Sequence, residues 1–141
     1  MKLRVSGLSK SFGAVRAVDG VSFSIRRGET LGLVGESGCG KSTLSRTIMR
    51  LLDPTAGKIL FEGREIQDLR GRELTALRRE MQIIFQDPYA SLNPRKRVSQ
   101  IVGEPLALHK VARGAELHKR VDELLELVGL SSKDADRFPH E

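Results

Sequence analysis

The 141 residues contain no tryptophan, and aromatic residues of every kind make up only 4%. So few rings cannot supply the stacking platform on which single-stranded nucleic acids are held. Cysteine occurs once, as Cys39. An internal disulfide is therefore excluded, which fits a reducing compartment. No apolar run approaches the roughly 18 residues needed to cross a membrane. Residues 1–11 alternate polar and apolar and lack the apolar stretch of a signal peptide. Any membrane association is expected to be peripheral. His109, His118 and His140 lack metal-ligand spacing and read as surface histidines. Internal repeats and low-complexity tracts are missing as well.

What is present describes a globular chain. Hydrophobic residues make up 39%, enough for one modest domain with a core. The formal net charge is +6, with small basic clusters at Arg70, Arg72, Arg78 and Arg79 and at Arg95, Lys96 and Arg97. Scattered in this way, the charge reads as a solvated face rather than a nucleic-acid footprint.

Leu3 to Leu8 reads as a strand, and Val21 to Ile25 as a second, half-buried one followed by a turn at Arg27-Gly28. The run TLGLV, Thr30 to Val34, is almost continuously apolar and predicts a strand buried on both faces, as in a parallel sheet. Lys41 to Leu52 carries Leu44, Ile48, Leu51 and Leu52 at helical spacing and stops at Asp53-Pro54. A short strand is expected at Ile59 to Phe61, a short helix at Glu73 to Arg79, and another buried strand at MQIIF, Met81 to Phe85. After Gln86 the texture changes. Asp87-Pro88 and Asn93-Pro94 mark an irregular loop. Val98 to Leu108 is weakly helical, with Pro105 inside it. Glu116 to Val128 is a stronger helix with an apolar stripe, stopped by Gly129. The expected division is residues 1–86, mixed strand and helix, and residues 87–141, helix alone.

Gly35-Glu36-Ser37-Gly38-Cys39-Gly40-Lys41-Ser42 matches G-x-x-x-x-G-K-[ST], the Walker A pattern. Glycines let backbone approach an anion closely, since no Cβ intervenes. Successive N–H groups then point inward as a nest, and the loop opens onto a helix N-terminus whose dipole favours negative charge. Lys41 adds a mobile cation for the β- and γ-phosphates, and Ser42 offers a hydroxyl to Mg²⁺. An apolar run before the loop and an amphipathic helix after it form the context that the motif requires. Candidate nucleotide-binding residues are Gly35, Ser37, Gly38, Cys39, Gly40, Lys41, Ser42 and Thr43.

A phosphate loop alone does not separate kinases, GTPases, helicases and transporters. Leu8 to Gly13 (LSKSFG) resembles the opening strand and A-loop of ABC-transporter ATPases, which implies that Phe12 stacks on adenine, with Ala17 nearby. MQIIFQD resembles their strand and Q-loop, with Gln86 45 residues after Lys41. The resemblance implies that Gln86 ligates Mg²⁺ and orients a water as a catalytic residue. Pro54 to Gly63 looks like the hairpin between these motifs. FQDPYASLNPR, Phe85 to Arg95, with Gly103-Glu104-Pro105-Leu106, is similar to the ATPases of oligopeptide, dipeptide, nickel and glutathione importers.

The implied fold is α/β: a P-loop NTPase core with N-terminal antiparallel strands and the start of a helical subdomain, incomplete. The stretch Arg137 to Glu141 resembles the approach to the family's signature motif. That motif, the Walker B carboxylates and the switch histidine do not occur in these residues, so the chain alone is expected to turn over no ATP. The resemblance further implies an ATP-binding importer subunit at the cytoplasmic membrane face. Its partners would be transmembrane permease subunits, met by the loop Tyr89 to Pro94, a second ABC ATPase subunit and, indirectly, a solute-binding protein, with no nucleic acid. Two other readings stay open: a nucleotide-binding fragment without turnover, and a DNA-associated ATPase of the wider superfamily, against which the Phe85–Arg95 loop argues.

Overall fold

The computed structural model describes residues 2–141, with the backbone alone at Ala90. The chain divides into two compact units, one extending through Ile83 and the other spanning Ile84–Glu141.

The first unit opens with a long hairpin, β1 (Leu3–Phe12) and β2 (Val15–Ile25), followed by α1 (Lys41–Ile48), β3 (Ala56–Phe61), the short β4 (Arg64–Glu65) and α2 (Gly71–Glu80). The strands form one antiparallel sheet in the order β2-β1-β3-β4. Leu3 lies opposite both Ile25 and Phe61, and Val5 opposite both Phe23 and Ile59. Opposed residues share a face, so these six side chains make one apolar layer. Leu44 of α1 and Ile66, Leu69 and Leu77 around α2 join the same core. Thr47, fully buried, is satisfied locally, its hydroxyl donating to the Thr43 carbonyl at 2.7 Å.

The helix α1 ends earlier than the apolar spacing predicts, because Arg50 takes a left-handed backbone at φ 54°. The Arg50 amide donates to the Thr47 carbonyl at 3.1 Å and that of Leu51 to the Arg46 carbonyl at 2.9 Å, the paired bonds of a Schellman cap. The Arg50 guanidinium is buried. It donates to the carbonyls of Ile66 at 2.9 Å and Leu69 at 3.1 Å and pairs with Asp53, tying the end of α1 to the segment that leads into α2.

Two expected strands do not form. Residues 30–34 and 81–85 carry no ladder, and Val34 and Ile84 are 93% and 92% exposed. A buried parallel strand needs a neighbour for its N–H and C=O groups. Among the described residues none pairs with either segment.

The second unit contains a single helical turn α3 (Pro88–Ser91), α4 (Val98–Leu108), α5 (Gly114–Leu127) and a 3₁₀ turn at Ser132–Asp136. Val121, Leu125 and Ala135 are its buried centre, with Val98, Val102 and Leu106 of α4 packed against them. Gly103 is buried, and a Cβ there would stand 3.5 Å from the Val121 side chain, so the two helices meet closely at this point. Of the expected α5 stripe, Val128 is exposed beyond the helix end.

Candidate phosphate-binding site

The loop 35–40 runs into the N-terminus of α1. A turn closes within it, the Cys39 amide donating to the Glu36 carbonyl at 3.3 Å. Gly40 is the residue on which α1 starts, with φ 93° and ψ 3°. A Cβ at Gly40 would lie 2.2 Å from the Ala17 carbonyl oxygen of β2. The sheet therefore presses on the loop where only glycine fits. At Gly35 a Cβ would meet the Cys39 sulfur at 2.6 Å, so the two ends of the loop close on each other.

Lys41 is folded back over this ring. Its Nζ donates to the Gly35 carbonyl at 2.6 Å, the Glu36 carbonyl at 2.5 Å and Cys39 Sγ at 3.4 Å. Three N–H groups thus meet three acceptors, and the positive charge is concentrated inside the loop. The amides of Lys41, Ser42 and Thr43 precede the first intrahelical acceptor, and the first turn of α1 carries no acidic side chain. Its dipole faces the loop uncompensated. These residues suit the phosphates of a nucleotide: close backbone approach, outward amides, one movable cation. Ser42 is exposed at the second position of α1, where its hydroxyl can serve a divalent cation held by those phosphates.

A cavity of about 240 Å³ lies between β2, the loop and α1, walled by Ala17, Val18, Asp19, Val34 and Lys41 among others. Phe12 stands at the tip of the β1–β2 hairpin, paired with Val15 and 48% exposed. The ammonium of Lys10 lies 5.1 Å from its ring centroid. Reading residues for motifs passes over Lys10. The signal that finds it is the two-residue period of a strand, which sets it on the same side as Phe12. Ser37, Gly38 and Cys39 are exposed in the loop, whereas Gln86 belongs to the second unit, where it too is exposed.

A family model described as ABC transporter matches residues 18–141. The chain belongs to the ABC transporter family. It is 52% identical over 138 residues to the oligopeptide transport ATP-binding protein AppF of Bacillus subtilis (strain 168), a match covering 96% of this chain and 42% of that protein. To the oligopeptide transport ATP-binding protein OppF of the same organism it is 55% identical over 131 residues, covering 92% of this chain and 43% of that one. The chain thus spans less than half the length of these ABC relatives. Among solved structures it is similar to the ATP-binding cassette MJ0796 bound to ADP and Pi in a dimeric post-hydrolysis state. The TM-score is 0.77 at 30% identity, over 98% of this chain and 62% of that one. The fold is that of an ABC ATPase cassette, α/β, with the antiparallel sheet and helices described above. No helix among the described residues is long and apolar enough to cross a membrane.

Proposed function

We propose that this chain carries the ATP-phosphate-binding part of a peptide-importer ATPase, at the cytoplasmic face of the membrane. The observation that carries the reading is the loop 35–42, closed on β2 at Gly40, with the Lys41 ammonium held over the Gly35 and Glu36 carbonyls. The similarity to AppF and OppF supports peptides as the transported class.

ATP is bound by its triphosphate. The loop amides and the first amides of α1 take the β-phosphate, and Lys41 leaves its carbonyl partners to bridge β- and γ-phosphates. Magnesium, when bound, would neutralise the charge that builds during phosphoryl transfer, and Ser42 would hold it through its hydroxyl. Phe12 receives the adenine on its exposed face. For Gln86 we propose the role the resemblance implies, a ligand for magnesium that also orients water. Tyr89 to Pro94 meets permease subunits, and a second ATPase subunit completes the catalytic assembly.

Lys41→Ala tests the reading. ATP affinity, measured by calorimetry, is expected to fall below detection, and uptake of a labelled peptide by cells that depend on this protein is expected to stop. An ATP affinity unchanged by the substitution would overturn the phosphate site. Loss of ATP binding with peptide uptake intact would overturn the peptide assignment alone.

A further inference from the structure

We propose that Lys10 is a positioning residue for the nucleotide base: its ammonium holds the Phe12 ring so that one defined face is presented to the purine. The proposal deepens the reading of Phe12 as the stacking residue and rests on it.

The argument begins with the strand. Lys10 and Phe12 are two residues apart on β1, where successive side chains alternate between faces, and they pair across the hairpin with Val18 and Val15. Lys10 Nζ donates to the Asp53 carbonyl at 2.7 Å, just beyond the cap of α1. That anchor is itself fixed to the same strand. The Thr55 amide donates to the Ser9 carbonyl at 2.9 Å, and the Ser11 amide donates to the Thr55 hydroxyl at 2.9 Å. Segment 53–55 therefore grips residues 9, 10 and 11, and the held ammonium sits 5.1 Å from the centre of the Phe12 ring.

The ring is only partly covered. It stands at a hairpin tip and is 48% exposed, a situation in which a phenylalanine samples several rotamers. A base that stacks on a mobile ring must first immobilise it, and that ordering subtracts from affinity. The cation over one face restrains the ring beforehand. It also occupies that face, so a stacked base has one side left to choose. Lys10 touches no phosphate in this arrangement, since its ammonium is committed to Asp53 and the ring.

Calorimetric affinities for ATP and for inorganic tripolyphosphate, which has no base, separate this from a general structural role. Lys10→Met is expected to weaken ATP about two- to fivefold, the range of an exposed cation–π contact, and to leave tripolyphosphate unchanged. Lys10→Arg, which keeps a cation over the ring, is expected to restore ATP affinity. Added to Phe12→Ala, Lys10→Met is expected to have no further effect. An equal loss for both ligands would make Lys10 a prop for the loop and overturn the proposal, as would no loss for either. If Phe12→Ala itself leaves ATP affinity intact, the failure lies with the stacking role of Phe12. Because the Lys10 side chain is half-exposed and outside the core, these substitutions leave the packing of the sheet alone.

Discussion

Replacing Gly40 by alanine tests the closure of the loop on the sheet. Two costs are separable. A non-glycine residue at φ 93° incurs about 1–2 kcal/mol of left-handed backbone strain. The new Cβ would in addition stand 2.2 Å from the Ala17 carbonyl oxygen, at least an ångström inside contact distance. Because that oxygen belongs to a strand it cannot swing aside, and relief by shifting β2 or the loop costs about 1–3 kcal/mol more. Gly63 is the matched control: its φ is 83°, and a Cβ there would meet nothing within 4 Å. Gly63→Ala thus carries the strain without the collision. In urea unfolding followed by circular dichroism, Gly40→Ala is expected to be less stable than Gly63→Ala by about 1–3 kcal/mol. ATP affinity should fall about tenfold or more in Gly40→Ala, because the loop amides are displaced, and stay unchanged in Gly63→Ala. Equal unfolding midpoints for the two variants would refute the close approach of β2 to the loop.

Cys39 is exposed inside the loop, so bound phosphates should cover it. Maleimide labelling is expected to slow markedly with ATP and little with adenosine, and equal rates under both would place the thiol away from the phosphates. The Asp53 carboxyl is held below its ordinary 3.8, first by the hydrogen bond from Arg50, then by the charges of Arg50 and Arg70. A lowered folded-state value stabilises above the unfolded one and is lost as pH falls through the folded one. The urea midpoint is therefore expected to drop below about pH 4, less steeply in Asp53→Asn; identical slopes would mean that the Arg50 pairing contributes nothing to acid stability.

Helix ends show where sequence reasoning reaches its limit. α5 stops at Gly129 as expected: this residue has φ 81°, and the Leu130 amide donates to the Leu125 carbonyl at 2.9 Å. The same cap closes α1 at Arg50, φ 54°, and α4 at Lys110, φ 55°, where the Val111 amide donates to the Leu106 carbonyl at 2.8 Å. Only glycine advertises a left-handed cap in a sequence. Arginine and lysine do not, so α1 reads four residues too long, to Leu52 instead of Ile48. At Arg50 the strain is offset by tertiary hydrogen bonds to Ile66 and Leu69, which no local pattern reveals. The hairpin is underestimated for a related reason: a register shift between Val5 and Leu8 breaks the alternation by which strands are recognised, so β1 reads as ending at Leu8 when it continues to Phe12. The Walker A loop is legible because it is contiguous and its glycines and lysine are each required by one short-range geometry. Lys10 escapes notice because its anchor, the Asp53 carbonyl, meets it only through the fold.

The loop is held very unequally at its two ends. Downstream, Gly40 lies against β2, and α1 is fixed through Leu44 and Thr47 in the core. Upstream, residues 30–34 pair with no described strand, and Leu31, Leu33 and Val34 are exposed. What fixes the upstream half is therefore local: the Gly35 backbone against the Cys39 sulfur, and the Lys41 ammonium on the carbonyls of Gly35 and Glu36. The three N–H groups of Lys41, spent on those two carbonyls and on Cys39 Sγ, cannot serve a triphosphate at once. On the proposed function, Lys41 would give up contacts that order the loop as ATP enters, and the phosphates, bound by the loop amides, would take over the ordering. On this view the lysine contributes twice, before binding as a brace and after it as a counter-charge. A neutral residue at position 41 loses the brace as well as the charge. That is why Lys41→Ala is expected to do more damage than the removal of one phosphate contact alone.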